Sequence, residues 1–136
     1  MSDEVNANRA TIRAFFAAAA RGEDTMHFLD DNVTWWVPGQ WELGGTYTKT
    51  ELAAVFGKVF AMLAGPPQFI VHAITAEDDR VAVSCESSTQ FTDGTPFGNT
   101  YHFLFYLRGG KIVAAKEYLD TAYMIGVLAQ RSRKAG

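Results

Sequence analysis

The strongest constraint in this 136-residue chain is a change of period at Gly65-Pro66-Pro67. Before that break, apolar residues recur at helical spacing. After it, residues 68–75, 80–91, 100–108 and 111–121 form four runs rich in Val, Ile, Phe, Tyr and Thr. Turn formers separate them at Glu77-Asp78-Asp79, Asp93-Gly94-Thr95-Pro96 and Gly109-Gly110, so the second half reads as a meander of four strands. In the first half, Val5, Ile12, Phe15, Phe16 and Ala19 mark a helix over residues 3–21 that Gly22 can terminate, with Arg9 as a polar break. A short second helix is expected from Asp24 or Thr25 to the Asp30-Asp31-Asn32 run, and a strand over residues 33–37. Thr48 and Glu51 form a capping box ahead of a third helix carrying Leu52, Val55, Phe56, Val59, Met62 and Leu63. Helices followed by strands predict an α+β fold, with a curved antiparallel sheet against three N-terminal helices. Residues 130–136 read as a solvated tail.

The chain has the size of one domain, spanning residues 1–136. Ten Phe, five Tyr and three Trp exceed what so small a core requires, which points to an aromatic-lined cavity or interface. Twelve basic and 15 acidic residues give a formal charge of -3 with no basic stripe, which argues against a nucleic-acid partner. The single cysteine, Cys85, closes no internal disulfide and reads as a small buried hydrophobe in a cytoplasmic protein. No apolar stretch approaches the ~18 residues of a membrane span. His27 and His72 have no partners at metal spacing, and neither Gly44-Gly45 nor Gly109-Gly110 lies in a phosphate-binding turn. Neither a metal nor a cofactor is expected.

The Gly109-Gly110 turn carries the functional argument. A two-residue hairpin loop pairs Arg108 with Lys111 and, stepping outward, His102 with Glu117. Directly opposed residues have Cβ atoms about 4.5–5.5 Å apart. A histidine and a carboxylate so placed, among Thr100, Leu104, Ala115 and Leu119, can hold and exchange a proton near neutral pH, although such pairs also occur as satisfied polar contacts. The other face would then show Tyr101, Phe103, Phe105, Ile112, Ala114 and Tyr118, an apolar surface suited to a homodimer. Strict alternation puts Asp120 opposite Asn99 at the strand end; only a bend near Leu119 would turn it toward Glu117. Trp35 and Trp36 face opposite sides, one into the core and one, taken as Trp36, toward a cavity. Trp41 and Tyr47 in the next connection, with Phe15, Phe56, Leu104 and Leu119, complete the expected ligand-binding set.

The segments Gly98-Asn99-Thr100-Tyr101-His102-Phe103, Gly110-Lys111-Ile112 and Glu117-Tyr118-Leu119-Asp120-Thr121 resemble the SnoaL-like, ketosteroid-isomerase-related branch of the nuclear-transport-factor-2-like (NTF2-like) superfamily. Trp36-Val37-Pro38-Gly39, Gly45-Thr46-Tyr47 and Arg21-Gly22-Glu23-Asp24 fit as well. The resemblance implies an NTF2-like cone with a central hydrophobic pocket, often dimeric. It also implies which chemistries are lost. Phe15 stands where ketosteroid isomerases have a tyrosine, Val37 where they have the base, and His102 where they have a protonated aspartate. Ser87 and Thr89 replace the Arg and an Asp of limonene-type epoxide hydrolases. Position 117 stays acidic, and phenazine-biosynthesis proteins and polyketide cyclases of this superfamily use acids in the same strand region. The expectation is therefore a cofactor-independent acid/base enzyme acting on a small hydrophobic molecule, with Glu117, His102 and Asp120 as candidate catalytic groups. The alternatives are a small-molecule-binding protein and a dimeric interaction module.

Overall fold

The computed structural model of the chain describes residues 2–135. Helix α1 (Asp3–Ala20) starts where the Ser2 hydroxyl accepts the Val5 amide at 3.2 Å, with Asp3 and Glu4 placed favourably in its first turn. It stops at Gly22, whose φ of +74° admits the two closing bonds, Gly22 N–H to Ala19 O and Glu23 N–H to Ala18 O. Its inward face, Val5, Ile12, Phe15 and Phe16, packs on the sheet. Asn8 lies in that face too, 5% exposed, and its Nδ2 has no hydrogen-bond partner. An orphaned buried donor costs about 1–3 kcal/mol. Asn8→Leu is accordingly expected to raise the urea midpoint, by about 1 kcal/mol after allowing for imperfect packing.

A single 3₁₀ turn (Met26–Phe28) replaces the expected second helix. Strand β1 (Leu29–Val37) begins four residues early and takes in Asp30-Asp31-Asn32. These polar residues fit a strand because β1 leaves regular pairing between Leu29 and Thr34, while Asp30 accepts the Asn32 amide locally at 2.9 Å. Strand β2 (Gly45–Tyr47), expected as loop, pairs with β1 through Trp35 and Tyr47. Helix α2 (Lys49–Ala61) has the expected capping box: the Glu51 amide donates to Thr48 Oγ1 at 3.2 Å, and the Thr48 amide to Glu51 Oε1 at 2.9 Å. Only Leu52 of its stripe is fully buried.

Strands β3 (Gln68–Glu77), β4 (Arg80–Gln90), β5 (Pro96–Arg108) and β6 (Lys111–Leu119) form the expected meander. The six strands are ordered β2-β1-β6-β5-β4-β3 in a curved, unclosed sheet. The sheet is mixed rather than antiparallel throughout, because β1 runs parallel to β6. At Gly98 in β5, an added Cβ would run into the Ser87 carbonyl oxygen of β4. Gly98→Ala should therefore lower stability by about 1–3 kcal/mol, read as a loss of urea midpoint.

The β5–β6 hairpin corrects the sequence reading. Gly109 and Gly110 both have positive φ, as a two-residue turn requires, and Arg108 faces Lys111. Val113 then forms a bulge: Leu107 pairs with Ile112, but Tyr106 pairs with Ala114. One extra residue moves every later side chain of β6 to the other face relative to β5. His102 consequently faces Tyr118, and Glu117 faces Phe103.

Helix α3 (Thr121–Ala135) occupies most of the expected tail; Gly136 lies outside the described residues. Asp120 caps it by accepting the Tyr123 amide at 3.0 Å. Arg131 anchors it to the β4–β5 turn, 2.7 Å from Asp93 and 3.8 Å above the Phe91 ring. Met124 is its buried contact.

Candidate active site: an acid in an aromatic cavity

Between α1, α2 and the concave sheet face lies a cavity of about 430 Å³. Its walls explain why α2 buries so little by itself, since Val55, Phe56 and Val59 face this space rather than packed side chains. The rings of Phe15, Phe16, Trp35, Phe103 and Phe105 make one contiguous aromatic cluster. Trp35 is its hub, 1% exposed and 5.8 Å from Phe56.

Glu117 enters this cavity from β6, directly across from Phe103. The parallel pairing of β1 with β6 puts Trp35 beside Ala115 on the same face, and the Trp35 Nε1–H donates to Glu117 Oε1 at 3.0 Å. Burial pushes the Glu117 carboxyl up to about 7, against the opposing pull of the Trp35 donor. The acid thus sits near its midpoint at neutral pH, as a proton-transfer group requires. Two phenols share the cavity. Tyr101 is a diagonal neighbour of Glu117 on the inner face; burial and then the Glu117 charge hold it well above the ordinary tyrosine range, with Ser87 opposing, so it remains a proton donor. Tyr47 is raised by burial and by Glu117 and Glu51, and its hydroxyl donates to Leu43 O at 2.6 Å. Cys85 also faces inward; burial, with the Glu117 charge, pushes its thiol up to about 12, so it stays an unreactive thiol.

The structure separates the expected site residues into two groups. Phe15, Trp41, Tyr47, Phe56, Leu119 and Glu117 line the cavity. His102, Leu104 and Trp36 do not. The Val113 bulge puts His102 exposed on the outer face opposite Tyr118, with Leu104 on that face too. Trp36 alternates outward from Trp35 and contacts Tyr118 and Lys116, so Trp35 is the cavity tryptophan. Asp120 is exposed and spent on structure: it caps α3, while Asn99 binds its backbone at both N and O. Phe103 and Phe105, expected on a dimer face, point inward instead and are buried in the core, with Tyr101 packed against it. Sequence reasoning missed Tyr101, Phe103, Ser87 and Met124 as lining residues. The first two follow from a bulge that leaves no signature in residue type, whereas the Asp120 cap and the helix formers after it would have found α3 and Met124. Among the described residues, no group of His, Cys, Asp or Glu side chains is placed to hold a metal ion, and no helix is long and apolar enough to cross a membrane.

Solved structures share the fold over most of the chain. Bal32a, from a soil-derived mobile gene cassette, superposes with a TM-score of 0.76 at 21% identity, covering 89% of this chain and 95% of its own. An NTF2-like protein from Anabaena variabilis gives 0.74 at 23% identity, covering 88% and 91%. TerC, co-crystallised with polyporic acid, gives 0.73 at 21%, covering 87% and 95%. No curated protein matches the sequence. The model of the SnoaL-like domain matches residues 8–115, from within α1 to Ala115 in β6, and so ends before the cavity residues Glu117, Leu119 and Met124; the chain belongs to the SnoaL-like domain family, with the NTF2-like fold.

Proposed function

We propose that this protein is a cofactor-independent acid/base enzyme of isomerase or cyclase type that moves a proton on a small hydrophobic molecule bound in the cavity. The observation that carries this reading is Glu117, a carboxyl held by Trp35 inside an aromatic enclosure and shifted to about 7. Its ionised form accepts a proton from carbon, and its protonated form returns it elsewhere on the same molecule. Tyr101, kept protonated, supplies a donor for an oxygen that gains charge in between. The aromatic walls exclude water and so strengthen both interactions. TerC, of the same fold, was crystallised with polyporic acid, which agrees with a small-molecule role.

The direct test is protein-dependent exchange of carbon-bound hydrogen for deuterium in heavy water, followed by NMR across small cyclic ketones and aminoketones. Exchange by the wild type and its loss in Glu117→Gln is the expected result; exchange at the wild-type rate in the variant would remove Glu117 from the mechanism. Binding without exchange would favour the non-catalytic binding reading. We also propose that a second copy covers the outer sheet face, where Ile70 and Tyr118 are 54% and 41% exposed; a monomeric mass by light scattering would exclude this.

A further inference from the structure

The cavity is chemically one-sided. Its lining among the described residues includes 28 side chains or glycines and no Lys, Arg or His. Two carboxyls border it. Glu23 stands where the α1 end opens to solvent and is already paired with Arg21 at 2.6 Å. Glu117 lies deep inside with one hydrogen bond, from Trp35 to Oε1; no donor among the described residues reaches its second oxygen. The remaining polar groups on the surrounding elements do not balance it. Trp35 comes from β1, Tyr47 from β2, Cys85 and Ser87 from β4 and Tyr101 from β5, all uncharged near neutral pH, while α1, α2 and α3 contribute Phe15, Phe16, Phe56 and Met124. Among the described residues, the further charge that acts on the Tyr47 hydroxyl is also negative, Glu51 at the start of α2, and the cations Arg21 and His27 act on Glu23 at the rim.

A buried carboxylate without a counter-cation is costly, and a ligand that brings the cation removes the cost. Aromatic rings add to the same preference, because their negative faces attract a desolvated ammonium. An anionic ligand would meet only Glu117 and find no compensating charge. We propose that the cavity binds a protonated amine carried on a compact hydrophobic body, its ammonium group meeting the free Glu117 oxygen among Trp35, Tyr47, Phe56, Tyr101 and Phe103. This rests on Glu117 as the functional group of the cavity and adds the charge class of the molecule. Such a ligand also keeps Glu117 ionised at neutral pH, the form able to accept a second, carbon-bound proton.

Three probes of nearly equal shape test this by titration calorimetry: naphthylmethylamine, naphthylmethanol and naphthoate. The sign of the pH effect separates the classes. Amine affinity rises as pH increases through about 7, because Glu117 ionises, and falls again only when the amine itself deprotonates. At about pH 8 the amine is expected to bind about tenfold or more tighter than the alcohol, and the naphthoate more weakly than either. Glu117→Gln should bring amine and alcohol to parity, and Phe56→Leu should narrow the gap while leaving the pH trend. Equal or tighter binding of the alcohol at about pH 8, or an amine preference that survives Glu117→Gln, overturns the amine inference and leaves Glu117 as a site for neutral molecules. If none of the three binds while the variants remain folded, the cavity reading falls together with it.

Discussion

Glu117→Gln is expected to make the protein more stable at about pH 8 and no more stable at about pH 4, below both the unfolded and the folded carboxyl values, while abolishing proton transfer. The sign follows from the raised carboxyl. Glu117 goes from 4.5 to about 7 on folding, so the native state holds this proton more tightly than the unfolded chain. Between those values the unfolded chain has released it and the native chain has not. Stability therefore falls as pH rises through the window and stays reduced above it. A shift of that size corresponds to about 3 kcal/mol. Glutamine has the shape of the protonated acid, keeps an oxygen for the Trp35 N–H and never ionises. The variant should thus gain about 3 kcal/mol at about pH 8, on the order of 10 °C in Tm, and match the wild type at about pH 4. Activity should move the other way, by a factor of about 10² to 10⁴ if a positioned acid/base group is lost. Urea unfolding of both proteins at the two pH values checks the first part. A pH-dependent loss that persists unchanged in Glu117→Gln would assign the slope to another group.

Such opposed effects on stability and turnover are the mark of a group kept for its chemistry, and they clarify what the sequence could disclose. The capping box at Thr48, the stop at Gly22 and the Gly109-Gly110 turn are local: each is decided by a few adjacent residues, and each appears in the structure where residue type placed it. Glu117 is singled out as a candidate because it stands in a strand of mostly apolar residues, and the structure places it in the cavity wall. Its partner was not legible. Whether His102 or Phe103 opposes Glu117 depends on one bulged residue, and Val113 is as ordinary in a bulge as in a regular strand. The donor that does hold Glu117 is 82 positions away, brought there by a parallel β1–β6 pairing that no local pattern announces. Alternation along β1 separated Trp35 from Trp36 but could not say which faced the cavity. The same long-range pairing answers that question, since Trp35 and Ala115 share a face with Glu117.

Replacing Trp35 by phenylalanine tests that long-range contact without removing the acid. The Nε1–H is the one donor the described residues offer to Glu117, and a hydrogen bond to a charged group is worth about 1.5–3 kcal/mol. Without it the ionised form loses its support, and the carboxyl should climb by a further one to two pKa units, roughly, from about 7. The smaller ring also leaves space beside Phe15, Phe56 and Phe103, a packing loss of about 1–3 kcal/mol that does not depend on pH. The two effects separate in a titration: packing lowers stability equally at every pH, whereas the lost donor extends the pH-dependent fall upward. Carbon-13 NMR of the labelled Glu117 carboxyl reads the midpoint directly. In a base-catalysed exchange assay the rising limb of the pH profile should move up by the same amount. A double variant with Glu117→Gln should retain the packing loss and show no pH shift, since glutamine has no charge for the indole to support. An unmoved midpoint in Trp35→Phe would mean that the indole positions Glu117 without setting its acidity, and the aromatic enclosure alone would then account for an acid poised at neutral pH.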